Sequence, residues 1–306
     1  MFKSNKKVKK IVGMALAAVM AAGLLAGCGG NATDEGNTNN TGSTFDTSKI
    51  ISVVSREDGS GTRGAFIELL GIEEKDADGN KKDNTTKEAV IAMRTDIMMT
   101  NIANDPYAIG YASLGSLNDT VKALAVDGVE ANAENIKNGN YKIARPFNIA
   151  TKGEPAGLAK DFIGFILSKE GQEVVAESYI KIDDNAEPYS GTKPEGKIVV
   201  AGSSSVTPVM EKLKEAYLAI NPNAQIEVQQ SDSSTGMSSA MEGICDIGMA
   251  SRELKDSEKA ELTATAIAMD GIAIIVNPVN SISDITAEAA KEVFVGNITT
   301  WSELVK

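Results

Sequence analysis

The chain has 306 residues, with 30 Lys and Arg against 42 Asp and Glu, two cysteines, no histidine and a formal net charge of -12. That acidic balance argues against nucleic-acid binding, which draws on basic patches. The missing histidine removes Ser-His-Asp and Cys-His catalysis and any His-ligated metal site.

The chain opens on an export signal. Lys3, Lys6, Lys7, Lys9 and Lys10 form a basic head, and Ile11 to Ala26 an apolar run interrupted by Gly13 and Gly23. The run is short for a membrane span and fits a secretory signal. Cys28, directly after Leu25-Ala26-Gly27, resembles the bacterial lipoprotein signal. In that signal the cysteine is lipidated and becomes the first residue. The resemblance implies a protein exported and lipid-anchored to the outer face of the bacterial cell membrane. Residues 28–46 form a flexible tether, since Gly29 to Thr44 holds no apolar residue except Ala32. With Cys28 lipidated, Cys245 is left alone and no internal disulfide forms. Its setting, Gly243-Ile244-Cys245-Asp246-Ile247-Gly248, suits a small buried apolar residue.

Ile50 to Val54 reads as a buried strand and Ala65 to Leu70 as the start of a helix. Between them lies Ser55-Arg56-Glu57-Asp58-Gly59-Ser60-Gly61-Thr62-Arg63-Gly64. Such a loop presents free N–H groups and short hydroxyls at a helix N-terminus, and Arg56 adds a planar fork of donors. The stretch alone leaves three readings open. Gly59-x-Gly61-x-x-Gly64 matches a dinucleotide fingerprint, which also wants an acid about twenty residues on. Asp76 and Asp78 sit near that distance, in a segment that looks like a solvated loop. The second reading is an oxyanion held by Arg56, Ser60, Thr62 and backbone N–H groups. The third is a plain glycine turn.

Thr86 to Ala103 has helical spacing, with Met93, Met98 and Met99 as core filler. Ala108 to Ala112 and Val121 to Val126 read as strands, and Asn132 to Lys137 as a short helix. Ala144 to Thr151 is a strand in which Pro146 argues for an edge or a beginning. Leu158 to Leu167 and Gln172 to Ser178 are amphipathic helices that turn Phe162, Ile163, Phe165, Ile166, Val174 and Val175 to a core. Asp183 to Gly196 is a linker or surface crossing.

Beyond it, Lys197 to Ala201 is a strand, Gly202-Ser203-Ser204-Ser205 a hydroxyl-rich loop and Val206 to Ile220 a periodic helix. The unit repeats with strand Gln225 to Gln229, loop Ser231-Asp232-Ser233-Ser234-Thr235-Gly236 and helix Met237 to Glu242. Asp246 to Ala250 is a strand ending in Ser251-Arg252, with Arg252 a structural ion-pair residue. Thr265 to Val276 is a long strand with a bend at Gly271. Thr286 to Phe294 and Thr300 to Val305 are short helices, with Trp301 packed at the second. Each Ser/Thr loop alone is explained by helix capping. Three in one α/β chain, at the carboxyl ends of strands where such sheets bind ligands, point to one tetrahedral oxyanion. A dinucleotide needs one such loop and a groove for bases, and the sequence supplies no such groove.

These pieces resemble the phosphate-binding lipoproteins that serve as receptors of the high-affinity phosphate ABC transporter. The matching stretches are Gly202 to Pro208, Ser231 to Gly236, Asp246 to Leu254, Asp270 to Ala273, Ser55 to Phe66 and Ala108 to Tyr111, which together span nearly all of 47–306. The resemblance implies a two-domain α/β fold of the type II periplasmic-binding-protein class, with the ligand in a cleft between domains joined by two crossing strands. It implies that Arg56, Ser60, Gly61, Thr62, Ser204, Ser205, Ser233 and Ser251 hold inorganic phosphate, and that Asp58 pairs with Arg56. It implies a monomeric receptor, not an enzyme, with no cofactor or metal. Its partners would be the membrane subunits of an ABC transporter, with no nucleic acid.

The chain departs from the family twice. The family begins with the piece found here at 197–306 and continues with that found at 47–196, so the chain reads as circularly permuted. Permutation is tolerated where termini are close and exposed. The crossing strands would be Ala144–Thr151 and Ile272–Pro278. One domain would comprise 47–149 plus 278–306 and carry the Arg56 loop. The other, 150–277, would carry the Ser204, Ser233 and Ser251 loops. Second, Ser251 stands where some members place an aspartate that accepts the proton of phosphate and repels sulfate. The alternative reading is therefore a receptor for sulfate or molybdate, and a more distant one a secreted dinucleotide-binding oxidoreductase.

Overall fold

The computed structural model describes residues 45–75 and 81–305. The segment expected as an export signal, Cys28, the expected tether as far as Thr44, and Asp76 and Asp78 lie outside those residues.

Strand β1 (Ser52–Arg56), apolar until its end, turns through Glu57 to Ser60 into helix α1 (Gly61–Leu69). Strands β2 (Glu73–Lys75) and β3 (Lys81–Asp83) pair with each other. Strand β4 (Val90–Ala92), helix α2 (Thr95–Asn104) and strand β5 (Ala108–Ser113) follow. The stretch 86–103, expected as one helix, thus divides. Val90, Ile91 and Ala92 pair in parallel with Val54, Ser55 and Arg56. β-Branched Val90 and Ile91 suit that pleated edge better than a helical turn. Met98 and Met99 are buried, but Met93 is 64% exposed, because it precedes the helix and faces away from its core stripe.

Strands β6 (Lys122–Ala123) and β7 (Ala125–Val126) replace the single strand expected over 121–126. Helix α3 (Ala133–Lys137) is capped by the Asn132 side chain and leads to β8 (Ala144–Thr151). Helices α4 (Gly157–Leu167) and α5 (Lys169–Ala176) bury Phe162, Phe165, Ile166 and Val175, with Ile163 and Val174 at the margin of the same core. Residues 183–195 carry no regular structure. Then come β9 (Gly196–Ser203), α6 (Thr207–Ile220), β10 (Ala224–Ser231), α7 (Ser233–Met241), β11 (Ile247–Ala250), α8 (Asp256–Lys259), β12 (Thr263–Val276), β13 (Asp284–Ile285) and α9 (Ala287–Val295). A final 3-10 turn, Trp301–Glu303, seats a fully buried Trp301.

A nine-stranded sheet runs in the order β10-β9-β11-β8-β12-β5-β1-β4, with β6 also on β12. Strands β10, β9 and β11 are mutually parallel at one end, and β5, β1 and β4 at the other. The antiparallel pair β8 and β12 links the two ends, with Arg145 opposite Asp270 and a register slip at Ala266/Ala268. The strand runs unbroken through Gly271, the position at which β12 changes partner from β8 to β5. That glycine serves packing, since a Cβ there would stand 2.4 Å from Ile136 Cδ1.

The buried side chains fall into separate clusters on either side of this junction. Phe66, Tyr111, Ile274, Phe294 and Trp301 belong to one, and Phe147, Phe162, Val200, Leu213 and Ile247 to another. Cys245 is buried, and burial pushes its thiol up to about 11, away from the reactive range. Among the described residues no helix is long and apolar enough to cross a membrane.

Candidate functional site

Strands β1, β9, β10 and β11 end at Arg56, Ser203, Ser231 and Ala250, and the polar loops begin where their apolar runs stop. Arg56 is 1% exposed and so cannot exchange its partners for water. Its Nε and Nη2 donate to the two carboxylate oxygens of Glu57, both at 2.8 Å. Nε also reaches the Ala92 carbonyl at 3.1 Å, Nη1 the Thr95 hydroxyl at 3.2 Å and Nη2 the Ser204 hydroxyl at 3.0 Å. Behind it, the Tyr111 hydroxyl accepts from the Arg56 N–H at 3.2 Å and meets Ser55 Oγ at 2.9 Å. Burial pushes that phenol up to about 12, so it stays neutral.

Asp58, expected to pair with Arg56, does not. Its side chain is 97% exposed and its carboxylate meets Arg63. The strand ends at Arg56 and Asp58 lies in the turn beyond it, pointing to solvent, while Glu57 folds back on its neighbour. Glu57 escaped the sequence reading because an adjacent residue gives no spacing signal.

The N-termini of α2 and α6 meet Arg56 through Thr95 and Ser204, and those of α1 and α7 join the same cluster through Thr62 and Ser233. Ser60 caps α1, accepting from the Arg63 N–H, and Asp232 caps α7. Ser203 to Val206 lead into α6, and Arg94 precedes α2 without a side-chain cap. Their positive dipole ends and unpaired N–H groups favour an anion between them. The hydroxyls interlock. Thr62 Oγ1 lies 2.8 Å from Ser205 Oγ, and Thr95 Oγ1 lies 3.2 Å from Ser204 Oγ and 3.1 Å from Ser205 Oγ. Ser251 Oγ accepts from Ser203 Oγ at 2.9 Å, and its N–H donates to Ser233 Oγ at 3.1 Å. Gly61 closes the wall, for a Cβ there would stand 2.3 Å from Ser233 Oγ and 2.8 Å from Ser251 Oγ.

The structure therefore gathers Arg56, Ser60, Gly61, Thr62, Ser204, Ser205, Ser233 and Ser251 in one buried place. It adds Thr95, Ser203 and Glu57. Thr95 was hidden by the misread helix over 86–103, whose true start brings its hydroxyl to the site. Arg252 donates to both oxygens of Glu258, at 2.7 and 2.8 Å, the ion-pair role expected of it. A cavity of about 750 Å3 adjoins the site, lined by Ser60, Arg63, Arg145, Ser234, Arg252 and Lys255. Gly61 and Gly64 lie in the first turn of α1 and pack toward Ser233, Ser251 and Arg252, which places protein where a dinucleotide would need open groove.

Comparison with known proteins gives the family. The family model described as PBP superfamily domain matches residues 4–170 and 187–306. The phosphate-binding protein PstS 2 of Streptococcus agalactiae serotype V is 50% identical over 304 residues, covering 98% of this chain and 100% of that protein. The phosphate-binding protein PstS of Bacillus subtilis is 36% identical over 139 residues, covering 44% of this chain and 42% of the relative. Among solved structures, a phosphate-binding protein of a phosphate ABC transporter from Streptococcus pneumoniae superposes with a TM-score of 0.67 at 45% identity. It covers 84% of this chain and 100% of its own. The chain thus belongs to the PBP superfamily, in the family of the phosphate-binding proteins PstS.

Proposed function

We propose that this chain is a receptor that captures inorganic phosphate and delivers it to the membrane subunits of an ABC transporter, without catalysing a reaction. The observation that carries the reading is the buried Arg56 guanidinium bonded to the Thr95 and Ser204 hydroxyls, with the Thr62, Ser205, Ser233 and Ser251 hydroxyls linked behind them. A tetrahedral anion offers four oxygens and needs donors from several directions, which this arrangement supplies. The proposed ligands are Arg56, Ser60, Gly61, Thr62, Ser204, Ser205, Ser233 and Ser251.

The lysine-rich head, the apolar run and Cys28 support export and lipid anchoring at the outer face of the membrane. The receptor acts as a monomer. Its lobes are 47–149 plus 278–306, carrying Arg56, and 150–277, carrying the serine loops, with the ligand between them. The order of the matching motifs supports a circular permutation of the family's usual order, and the Streptococcus agalactiae relative, aligned over its whole length, has the same order as this chain. Calorimetric titration of purified 28–306 with phosphate tests the reading. Saturable heat with one site per chain is expected, and neither heat nor thermal shift at millimolar phosphate rejects it.

A further inference from the structure

Gly59 opens the glycine-spaced run that a dinucleotide reading would explain, and the phosphate reading leaves it without a task. Its φ lies outside the left-handed region, so the turn does not call for glycine there. Space does. A Cβ on Gly59 would stand 2.2 Å from Asp232 Oδ1 and 2.5 Å from Asp232 Cγ, where the Arg56 loop meets the serine loops. Asp232 is held in place by its work as a cap. Its carboxylate accepts from the Thr235 N–H at 2.8 Å and from the Thr235 hydroxyl at 2.6 Å.

The approach also makes a bond. The Ser234 N–H donates to the Gly59 carbonyl at 3.2 Å, which joins the two sides through backbone. Ser234 lies in the first turn of α7, where N–H groups have no partner within the helix. The contact sits at a rim. Gly59 and Ser234 are the chain neighbours of Ser60 and Ser233, within the cage of hydroxyls. Asp58, Ser60 and Ser234 line the cavity of about 750 Å3 beside it. Arg252 Nη2 and Lys255 Nζ steady Ser234 by donating to its Oγ at 3.3 and 3.5 Å.

From this placement we infer that Gly59 and the Asp232–Ser234 turn form a clasp between cage and cavity, which parts to let phosphate pass and sets its residence time. The inference rests on the phosphate reading and specifies how that site holds its guest. Gly59 is a positioning residue: it offers no side chain to the ligand and acts by letting two walls approach. The bonded N–H and carbonyl regain water when the walls part, so the clasp is reversible, and closeness of fit decides how long it stays shut.

Release of radiolabelled phosphate from 28–306 into excess unlabelled phosphate tests the clasp. Dividing the release rate by the calorimetric Kd gives the association rate. In Gly59→Ala the added Cβ overpacks the contact. Release should quicken about tenfold while association changes less than about threefold, since altered contacts act mainly on dissociation. Adding Asp232→Gly to Gly59→Ala should restore slow release, because it removes the atoms that the Cβ meets and glycine still serves as a helix cap. Unchanged release in Gly59→Ala, or association altered as much as release, overturns the clasp and leaves the phosphate reading standing. Fast release that Asp232→Gly fails to restore overturns it too. An unaltered protein that binds no phosphate overturns the phosphate reading, and the clasp as a phosphate gate with it.

Discussion

Arg56 is the proposed charged ligand and is also paired with the Glu57 carboxylate, so its substitution has two separable effects. Arg56→Ala leaves Glu57 buried and unpaired. Breaking a buried pair from one side typically costs about 3–5 kcal/mol, so a lower melting temperature accompanies loss of phosphate binding. Arg56→Lys keeps the charge but not the fork. Losing one hydrogen bond to a charged group costs about 1.5–3 kcal/mol, so calorimetry should show phosphate affinity reduced about ten- to a hundredfold with less thermal damage. Gly61→Ala separates binding from stability in the other direction. Alanine favours the helix by up to about 1 kcal/mol, yet its Cβ would stand 2.3 Å from Ser233 Oγ. Overpacking of that kind costs about 1–3 kcal/mol, and it falls on the contact between the Arg56 loop and the serine loops. Phosphate affinity should fall about tenfold or more while the ligand-free melting temperature holds or rises, and unaltered affinity would show that the two walls need not approach so closely.

At the scale of elements, two ion pairs act differently. Glu258 accepts from Arg252 and from the Lys255 N–H in the first turn of α8. Burial alone would push its carboxyl up, but those donors outweigh burial and hold it below the usual range. Its contribution to stability is therefore present above its unfolded pKa of about 4.3 and lost as pH falls through the lower folded value. The melting-temperature gap between the protein and Glu258→Gln should be widest near neutrality and close toward pH 3. A constant gap would mean that shape rather than charge matters there. Arg145 and Asp270 instead face each other across β8 and β12, 3.1 Å apart and almost fully buried. Burial pushes the Asp270 carboxyl up and the Arg145 guanidinium down, and Arg145 Nε and Nη1 find no hydrogen-bond partner among the described residues. Such a pair is costly to break but not to replace. Asp270→Ala alone should destabilise by about 3–5 kcal/mol in urea, while Arg145→Met with Asp270→Leu should be neutral or stabilising by up to about 4 kcal/mol.

The same elements show what sequence reasoning reaches. Alternating apolar strands and periodic helices give the α/β architecture, and hydroxyl-rich loops at strand ends mark the site, because both patterns are local. The boundary at Arg94 was missed because Val90 and Ile91 satisfy a helical period and a strand equally. Only pairing with β1, distant in sequence, decides between them. The partner of Arg56 was misassigned for a related reason, since a neighbouring carboxylate is chosen by side-chain direction rather than by spacing.

For the whole molecule the proposal turns on how the proposed ligand groups divide about the β8 and β12 junction. Arg56, Thr62 and Thr95 stand on one side of it, and Ser204, Ser205, Ser233 and Ser251 on the other. Few direct bonds join the two sets: Arg56 to Ser204, Thr95 and Thr62 to the serines, and the Ser234 N–H to the Gly59 carbonyl at 3.2 Å. The neutral bonds among these contribute only about 0.5–1.5 kcal/mol each and the Arg56 bond about 1.5–3 kcal/mol, which is modest against the hydration that the separated faces would regain. A dianion touching both sets adds charge-assisted bonds only when the faces meet, and a ligand shifts an equilibrium by the difference in its affinity for the two states. Saturating phosphate should therefore shrink the radius of gyration of 28–306 in small-angle scattering. At about a hundred times its dissociation constant it should add about 2.7 kcal/mol of stability, visible as a higher melting temperature. Arg56→Ala should show neither change. A thermal shift without any change in radius would mean that the ligand-free molecule is already closed and that phosphate enters by local opening at Gly59 and Ser234.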